Sequence, residues 1–291
     1  MALGDPANAV VGAGVDAEES RAAVLLERHP FWAPFRRHRK ANRALEERGI
    51  MRPGLSLLAG ILVWEALGWI LGLPWIPPFS RVLSGLVELT LTGEILGNLA
   101  TTLGTLAIGF FLSLVIGLPV GALMGRFKRV EQALGIYIYT GILVPSLAMA
   151  PIYFAIFGLS SMTRIMIVVQ FAVFFLIVNT ATAFRTVDSS LEEMGRGFGA
   201  NRRQNLWQIV LPGSAVMLFA GIRIAVGRSI KGMISGEMFI AVVGLGGVIQ
   251  KYGTQFDASK VLAVALITLV IAVALGAVAR AVERRFTRWA E

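Results

Sequence analysis

Four stretches of the chain contain no Asp, Glu, Lys or Arg: residues 95–125, 132–163, 165–184 and 261–279. A helix that crosses a bilayer needs about 20 mostly apolar residues, and each stretch supplies that length, the last one narrowly. Residues 54–73 make a further span interrupted only by Glu65. Residues 214–243 make another, with Arg223, Arg228, Lys231 and Glu237 inside it. Charged residues are 15% of the chain, against about 25% in an ordinary soluble domain. The chain therefore reads as an all-α membrane protein with six transmembrane helices, at about 54–73, 95–125, 132–158, 165–185, 214–243 and 259–279.

Net charge is +9, and its placement gives the orientation, because Lys and Arg collect on the cytoplasmic side of membrane proteins. Nine basic residues precede residue 54. Arg126, Lys128 and Arg129 follow the second span, Arg185, Arg196, Arg202 and Arg203 follow the fourth, and Arg280, Arg284, Arg285 and Arg288 close the chain. Arg81, Arg164, Lys251 and Lys260 fall on the other side. This asymmetry predicts cytoplasmic N- and C-termini and an even number of spans. Cations beside spans are explained by lipid headgroups and insertion, so no nucleic-acid partner is inferred.

Residues 1–53 form a cytoplasmic tail, with possible amphipathic helices over AEESRAAVLLERH and RRHRKANRALEERGI separated by PFWAPF. The first 20 residues lack a basic start and an apolar core, so they are not read as a signal peptide. Residues 54–291 form the transmembrane domain. The chain has no Cys, and its two His both lie in the tail. No thiolate site, metal site or histidine relay within the membrane is expected, and no catalytic residue is assigned. Pro145 and Pro151 are expected to kink the third span where neighbouring protein or water satisfies the freed carbonyls. In the second span, Gly117, Gly121 and Gly125 form small-xxx-small pairs, which suit close packing within the chain.

The segment at 186–213, between the fourth and fifth spans, is polar. Ser190 and Glu193 fit a capping box, and Gly199 suits a left-handed stop. A second helix follows over ANRRQNLWQIVLP and is expected to end at Pro212. A first helix of about two turns is too short to be stable alone, so it needs something to pack against.

This segment resembles the EAA loop of binding-protein-dependent ABC importer permeases. Glu193, Gly199, Ile209, Leu211 and Pro212 match that pattern, while Met194 and Gly195 replace its two alanines. Gly197 loosens the helix further, by about 1 kcal/mol relative to Ala. The order VPSLAMAPIYFAIFGLSS, IVLPGSA, GIRIAVGRSIKGMISGEM and VVGLGGVIQ, with the pair Trp64-Glu65, is similar to permeases of the nitrate, alkanesulfonate and taurine group. The resemblance implies a type I ABC importer (MetI-like) permease fold in the bacterial cytoplasmic (inner) membrane. It also implies a second copy of the permease as a homodimer, two ABC ATPase subunits that bind ATP and Mg, and an extracytoplasmic substrate-binding protein. The chain itself has no G-x-x-x-x-G-K-[ST] run, so no cofactor is expected on it and it is not read as an enzyme.

The resemblance assigns coupling to the ATPases to Glu192, Glu193, Gly195, Gly199, Ala200, Leu211 and Pro212. Charges inside a span are costly and are functional candidates by default. Arg228 and Lys231 share a helix face and would favour an anionic solute of sulfonate, nitrate or carboxylate type, unless they pair with Glu237, Glu65 or the ATPase side. Asn98, Thr102, Pro145, Ser146, Gln170, Asn179 and Glu237 are further candidates for the translocation path, though interhelical hydrogen bonds explain the polar ones equally well. The alternative is a secondary transporter or channel that works without ATPases.

Overall fold

The computed structural model describes residues 53–240 and 243–287. The tail helices expected before residue 53 lie outside the described residues. The chain divides into two units, Met1–Trp64 and Glu65–Glu291. The boundary falls inside the first described helix, α1 (Pro53–Leu71). Then come α2 (Phe79–Leu91), α3 (Glu94–Arg126) and α4 (Lys128–Leu143). A 3₁₀ turn at Ser146–Met149 leads to α5 (Ala150–Phe157), followed by α6 (Ser161–Arg185) and α7 (Ser189–Gly197). The rest is α8 (Arg202–Ile240), α9 (Gly244–Thr254) and α10 (Ala258–Phe286). No strand occurs among the described residues.

Five helices are long and apolar enough to cross a membrane: α1, α3, α6, α8 and α10. The bent pair α4 and Ser146–Phe157 completes the expected six if counted as one span. The kink expected in that third span, 132–158, is a full break at one of its two prolines, while Pro151 sits in the first turn of α5. The span's two limbs meet at 95°, and the break falls at Val144-Pro145, both in extended conformation. The residue before a proline is pushed out of the helical region, and Pro145 cannot donate to continue the ladder.

The core of the second unit is α6, the most buried span. It is clamped between two glycine-bearing faces. On α3, a Cβ added at Gly109, Gly117 or Gly121 would lie 2.6–2.7 Å from Val168, Leu176, or the Ile177 carbonyl and Thr180. On α8, a Cβ at Gly221 or Gly232 would lie 2.7 Å from Asn179 or Phe171. These helices approach as closely as backbone allows, which supplies dispersion contacts where lipid gives no hydrophobic drive. The small-residue pairs of α3 thus serve packing within the chain. Around them Met124, Ile165, Val169, Val173 and Ile177 form one apolar cluster, and Leu106, Val168, Ile230 and Met233 another.

The charge in the first span also has a structural use. Glu65 Oε2 accepts from the Ser80 N–H (2.9 Å), and Oε1 accepts from the Ser80 hydroxyl (2.8 Å) and Trp69 Nε1–H (2.8 Å). It satisfies the start of α2, whose first N–H groups have no partner in their own helix.

Candidate functional site

The loop between α6 and α8 folds as the short helix α7, a turn, and then the beginning of α8. The start of α7 corrects the expected capping box. Its N-cap is Asp188, whose Oδ1 accepts from the Ser190 N–H at 2.9 Å, and Ser190 lies inside the helix. Gly199 has φ +83°, the left-handed turn its place predicts. The turn ends in a capping box, carried by the N-x-x-Q spacing of Asn201 and Gln204. Asn201 Oδ1 accepts from the Gln204 N–H, and Gln204 Oε1 accepts from the Asn201 N–H, both at 2.9 Å.

From there the helix does not stop at Pro212. It runs unbroken through a π turn at Leu206–Val210 into the fifth span. Pro212 lacks the N–H a regular ladder would use and crowds the carbonyl four residues earlier. A turn of wider register just before it relieves both problems. Leu211 and Pro212 therefore join the loop rigidly to the span.

Two faces of α7 divide the work. Inward, Glu192 is buried, 8% exposed. Its Oε1 lies 2.6 Å from Arg126 Nη1 at the end of α3, and its Oε2 accepts from Asn205 Nδ2 at 3.2 Å. The Arg126 hydrogen bond holds the Glu192 carboxyl below its ordinary value. Glu192, assigned to the ATPase-facing set, thus turns into the chain and fixes α7 to the bundle. Gly195 is also buried, and a Cβ there would sit 2.3 Å from Ile209 Cδ1. A glycine in place of the family's alanine lets α7 lie directly on Ile209. Gly197 has open space, and nothing in the structure explains its choice. Outward, Glu193 is exposed, with Leu191 (43%), Met194 (55%) and Phe198 (87%). Positions 191, 194 and 198 follow helical spacing and lie on one face. The stripe is carried by LEEMGRGF, where charged residues stand between its apolar positions. Ala200 is half-buried in the turn.

The path candidates separate into two groups. Asn98, Thr102 and Glu237 come together at the start of α9 and are occupied there. The Gly244 N–H donates to Asn98 Oδ1 (2.8 Å), the Leu245 N–H to Thr102 Oγ1 (2.9 Å), and the Gly246 N–H to Glu237 Oε2 (3.0 Å). The Thr102 hydroxyl lies 2.9 Å from both Glu237 oxygens. Glu237 and Thr102 are fully buried. The first three N–H groups of α9 are thus satisfied by side chains from α3 and α8. Gly244, at φ +81°, lets the chain pass over the Glu237 carboxylate, where a Cβ would lie 2.2 Å away. These residues form a cap that joins three helices.

Gln170 is likewise engaged, accepting from the Tyr153 hydroxyl across the bent third span. Asn179 donates to the Phe175 carbonyl of its own helix at 2.7 Å. Pro145 is exposed at the break and Ser146 half-buried beside it. Arg223, inside the fifth span, pairs with Glu283 at 2.8 Å.

Arg228 and Lys231 differ. Both are exposed on α8. Neither makes an ion pair among the described residues. The Arg228 guanidinium lies 3.8 Å from the centroid of the Phe175 ring, a cation–π contact that leaves its charge uncompensated. No group of three or more metal-ligating side chains occurs among the described residues.

The described helices form a bundle of spans, with the amphipathic helix α7 at the end where basic residues collect and two cations on α8 that make no ion pair among the described residues. Residues 113–288 match the family described as "Binding-protein-dependent transport system inner membrane component", and the chain belongs to that family. Its relatives include the putative aliphatic sulfonates transport permease protein SsuC of Bacillus subtilis (strain 168). That relative is 28% identical over 239 residues, covering 81% of this chain and 87% of the relative. The taurine transport system permease protein TauC of Escherichia coli (strain K12) is 28% identical over 221 residues, covering 74% and 80%. The formylaminopyrimidine transport permease protein ThiX of Halalkalibacterium halodurans is 29% identical over 214 residues, covering 73% and 85%. Among solved structures, a chain of the MetNI methionine ABC transporter in an inward-facing conformation superposes with TM-score 0.61. It is 19% identical and covers 68% of this chain and 98% of that one, a likeness of fold. The chain is a transmembrane permease subunit of an ABC importer, an inner-membrane protein and not an enzyme. The reading as a secondary transporter or channel is not favoured.

Proposed function

We propose that the chain forms one half of a homodimeric import path for a small anionic solute. Two separate ATPase subunits that bind ATP and Mg drive it, and an external binding protein supplies it. The loop end and both termini face the cytoplasm, as the basic residues at that end indicate. The observation that carries the coupling assignment is α7. It is fixed to the bundle on one face through Glu192 and Arg126, and it offers Leu191, Met194 and Phe198 uncovered on the other. A partner groove that covers those three side chains would be held in rigid register with the fifth span through α8, so its motion passes to the path. Co-purification from membranes with an ATPase of Walker type tests this. Recovery of the permease alone under all mild detergent conditions would overturn it.

The anionic character of the solute rests on Arg228 and Lys231, and the sulfonate and taurine relatives support it. Glu237, Asn98 and Thr102 are not assigned to the path, because α9 already uses them. Replacing Arg228 or Lys231 by Ala is expected to cost about 1.5 kcal/mol of solute stabilisation, roughly tenfold in uptake efficiency per cation. Uptake of sulfonates, nitrate and aromatic carboxylates, with formylaminopyrimidine as the uncharged comparison, measures this. Unchanged uptake of every anion by the double variant would rule out a role for the pair.

A further inference from the structure

At the basic end of the second unit lies a cleft of about 1060 Å³, the size that takes a whole small ligand. Four guanidinium groups line it: Arg126 at the end of α3, Arg196 on α7, and Arg202 and Arg203 in the first turn of α8. Its other walls are apolar and aromatic, with Leu123, Phe127, Phe184 and Trp207. One carboxylate reaches the cluster, Glu192, and it is committed to Arg126. Arg196 donates to the Glu192 carbonyl at 3.3 Å. Arg202 and Arg203 are exposed and form no ion pair among the described residues. Asn205 lies beneath the same cleft and closes its floor: its Nδ2 donates to Glu192, and its Oδ1 is buried on the Gly195 side. Uncompensated cations and an apolar wall in one cleft call for an anion that also carries an apolar part.

We infer that this cleft binds the headgroup of an anionic glycerophospholipid. Arg202 and Arg203 would hold the phosphate, and the upper acyl chains would lie on Leu123, Phe127 and Trp207. The height in the membrane agrees. Arg126 is the last residue of a span, and Trp207 is 60% exposed one turn from Arg203, as in the interfacial belt where headgroups sit. Basic pockets between spans at the cytoplasmic surface suit such lipids. The lipid would bridge the ends of α3 and α8 beside the base of α7, and so steady the helix that meets the partner. The inference does not depend on the transported solute.

The test uses the full-length chain exchanged into nanodiscs containing phosphatidylglycerol, or phosphatidylcholine alone, with retained lipid counted by native mass spectrometry. The variants are Arg202→Gln/Arg203→Gln, the cleft-filling Leu123→Trp with all charges kept, and Arg280→Gln/Arg284→Gln at the same end outside the cleft. Removing the two cleft arginines is expected to reduce phosphatidylglycerol retention roughly 30-fold, at about five- to sixfold per cation. Leu123→Trp is expected to reduce it as well, the α10 pair to leave it unchanged, and phosphatidylcholine not to be retained. Inorganic phosphate is expected not to displace the lipid, because it lacks the acyl chains that the apolar wall holds. Equal retention by the cleft variant, equal loss from the α10 pair, or displacement by inorganic phosphate would each overturn the lipid assignment. So would loss of ATPase association in the cleft variant with lipid retained.

Discussion

Phe198→Asp is expected to leave the chain folded in the membrane and to abolish ATP-driven uptake. Phe198 is 87% exposed at the end of α7, and a Cβ at the neighbouring Gly199 would meet nothing within 4 Å. Among the described residues, nothing depends on the ring. Exposed aromatic anchors of this kind concentrate interface energy once a partner desolvates them, at about 2–4 kcal/mol for the dominant residues. A buried carboxylate in the same place adds its own desolvation cost. The affinity for the ATPase should therefore fall roughly 30- to 1000-fold, with Met194→Asp next in effect and Leu191→Asp after it. Detergent extraction and melting of the permease should not change. A variant that keeps both ATPase recovery and uptake would show that α7 is not the contact.

Glu237→Ala carries the second large effect, in the opposite place and by another mechanism. The substitution removes the acceptor for the Gly246 N–H and the Thr102 hydroxyl in a fully buried position. Each buried donor left without a partner costs about 1–3 kcal/mol, so the loss for the two is about 2–6 kcal/mol, enough to cut the yield of folded protein. Glu237→Gln should recover part of it, since one amide oxygen still accepts. Thr102→Val leaves the Leu245 N–H without its acceptor and should couple to Glu237→Ala non-additively, because both act on one network. Thermal unfolding in detergent measures all three. A Glu237→Ala protein that melts with the parent and loses uptake alone would return Glu237 to the translocation path.

These two predictions rest on different depths of sequence reading. The spans were legible because runs without charge have one stable home. The left-handed turn at Gly199 was legible because its residue type and conformation are linked locally. Glu237 and Glu65 stood out in the sequence only as costly charges. Their partners lie 135 residues away at Thr102 and 15 residues away at Ser80, and no periodicity marks such pairings. Pro145 announced a disturbance but not its size. The 95° turn depends on where α5 finds α6 to pack against. Gly195 reads in the sequence as a weakness in the coupling helix, because the Ile209 side chain that occupies the space lies 14 residues further on. Pro212 looked like an end because proline usually ends helices, and the π turn that absorbs it leaves no distinctive composition. The apolar stripe of α7 was written in plain helical spacing and required only that its two adjacent acids be assigned to different faces.

The central claim is that this chain conducts its solute only when a separate ATPase acts on α7. Solute flux into proteoliposomes measures it directly, with the permease reconstituted alone and with its ATPase partners, each with and without ATP. The account predicts uptake only with the partners, ATP and binding protein together, and its loss in Phe198→Asp. Flux through the permease alone, driven by a solute or ion gradient and indifferent to Phe198→Asp, would contradict it.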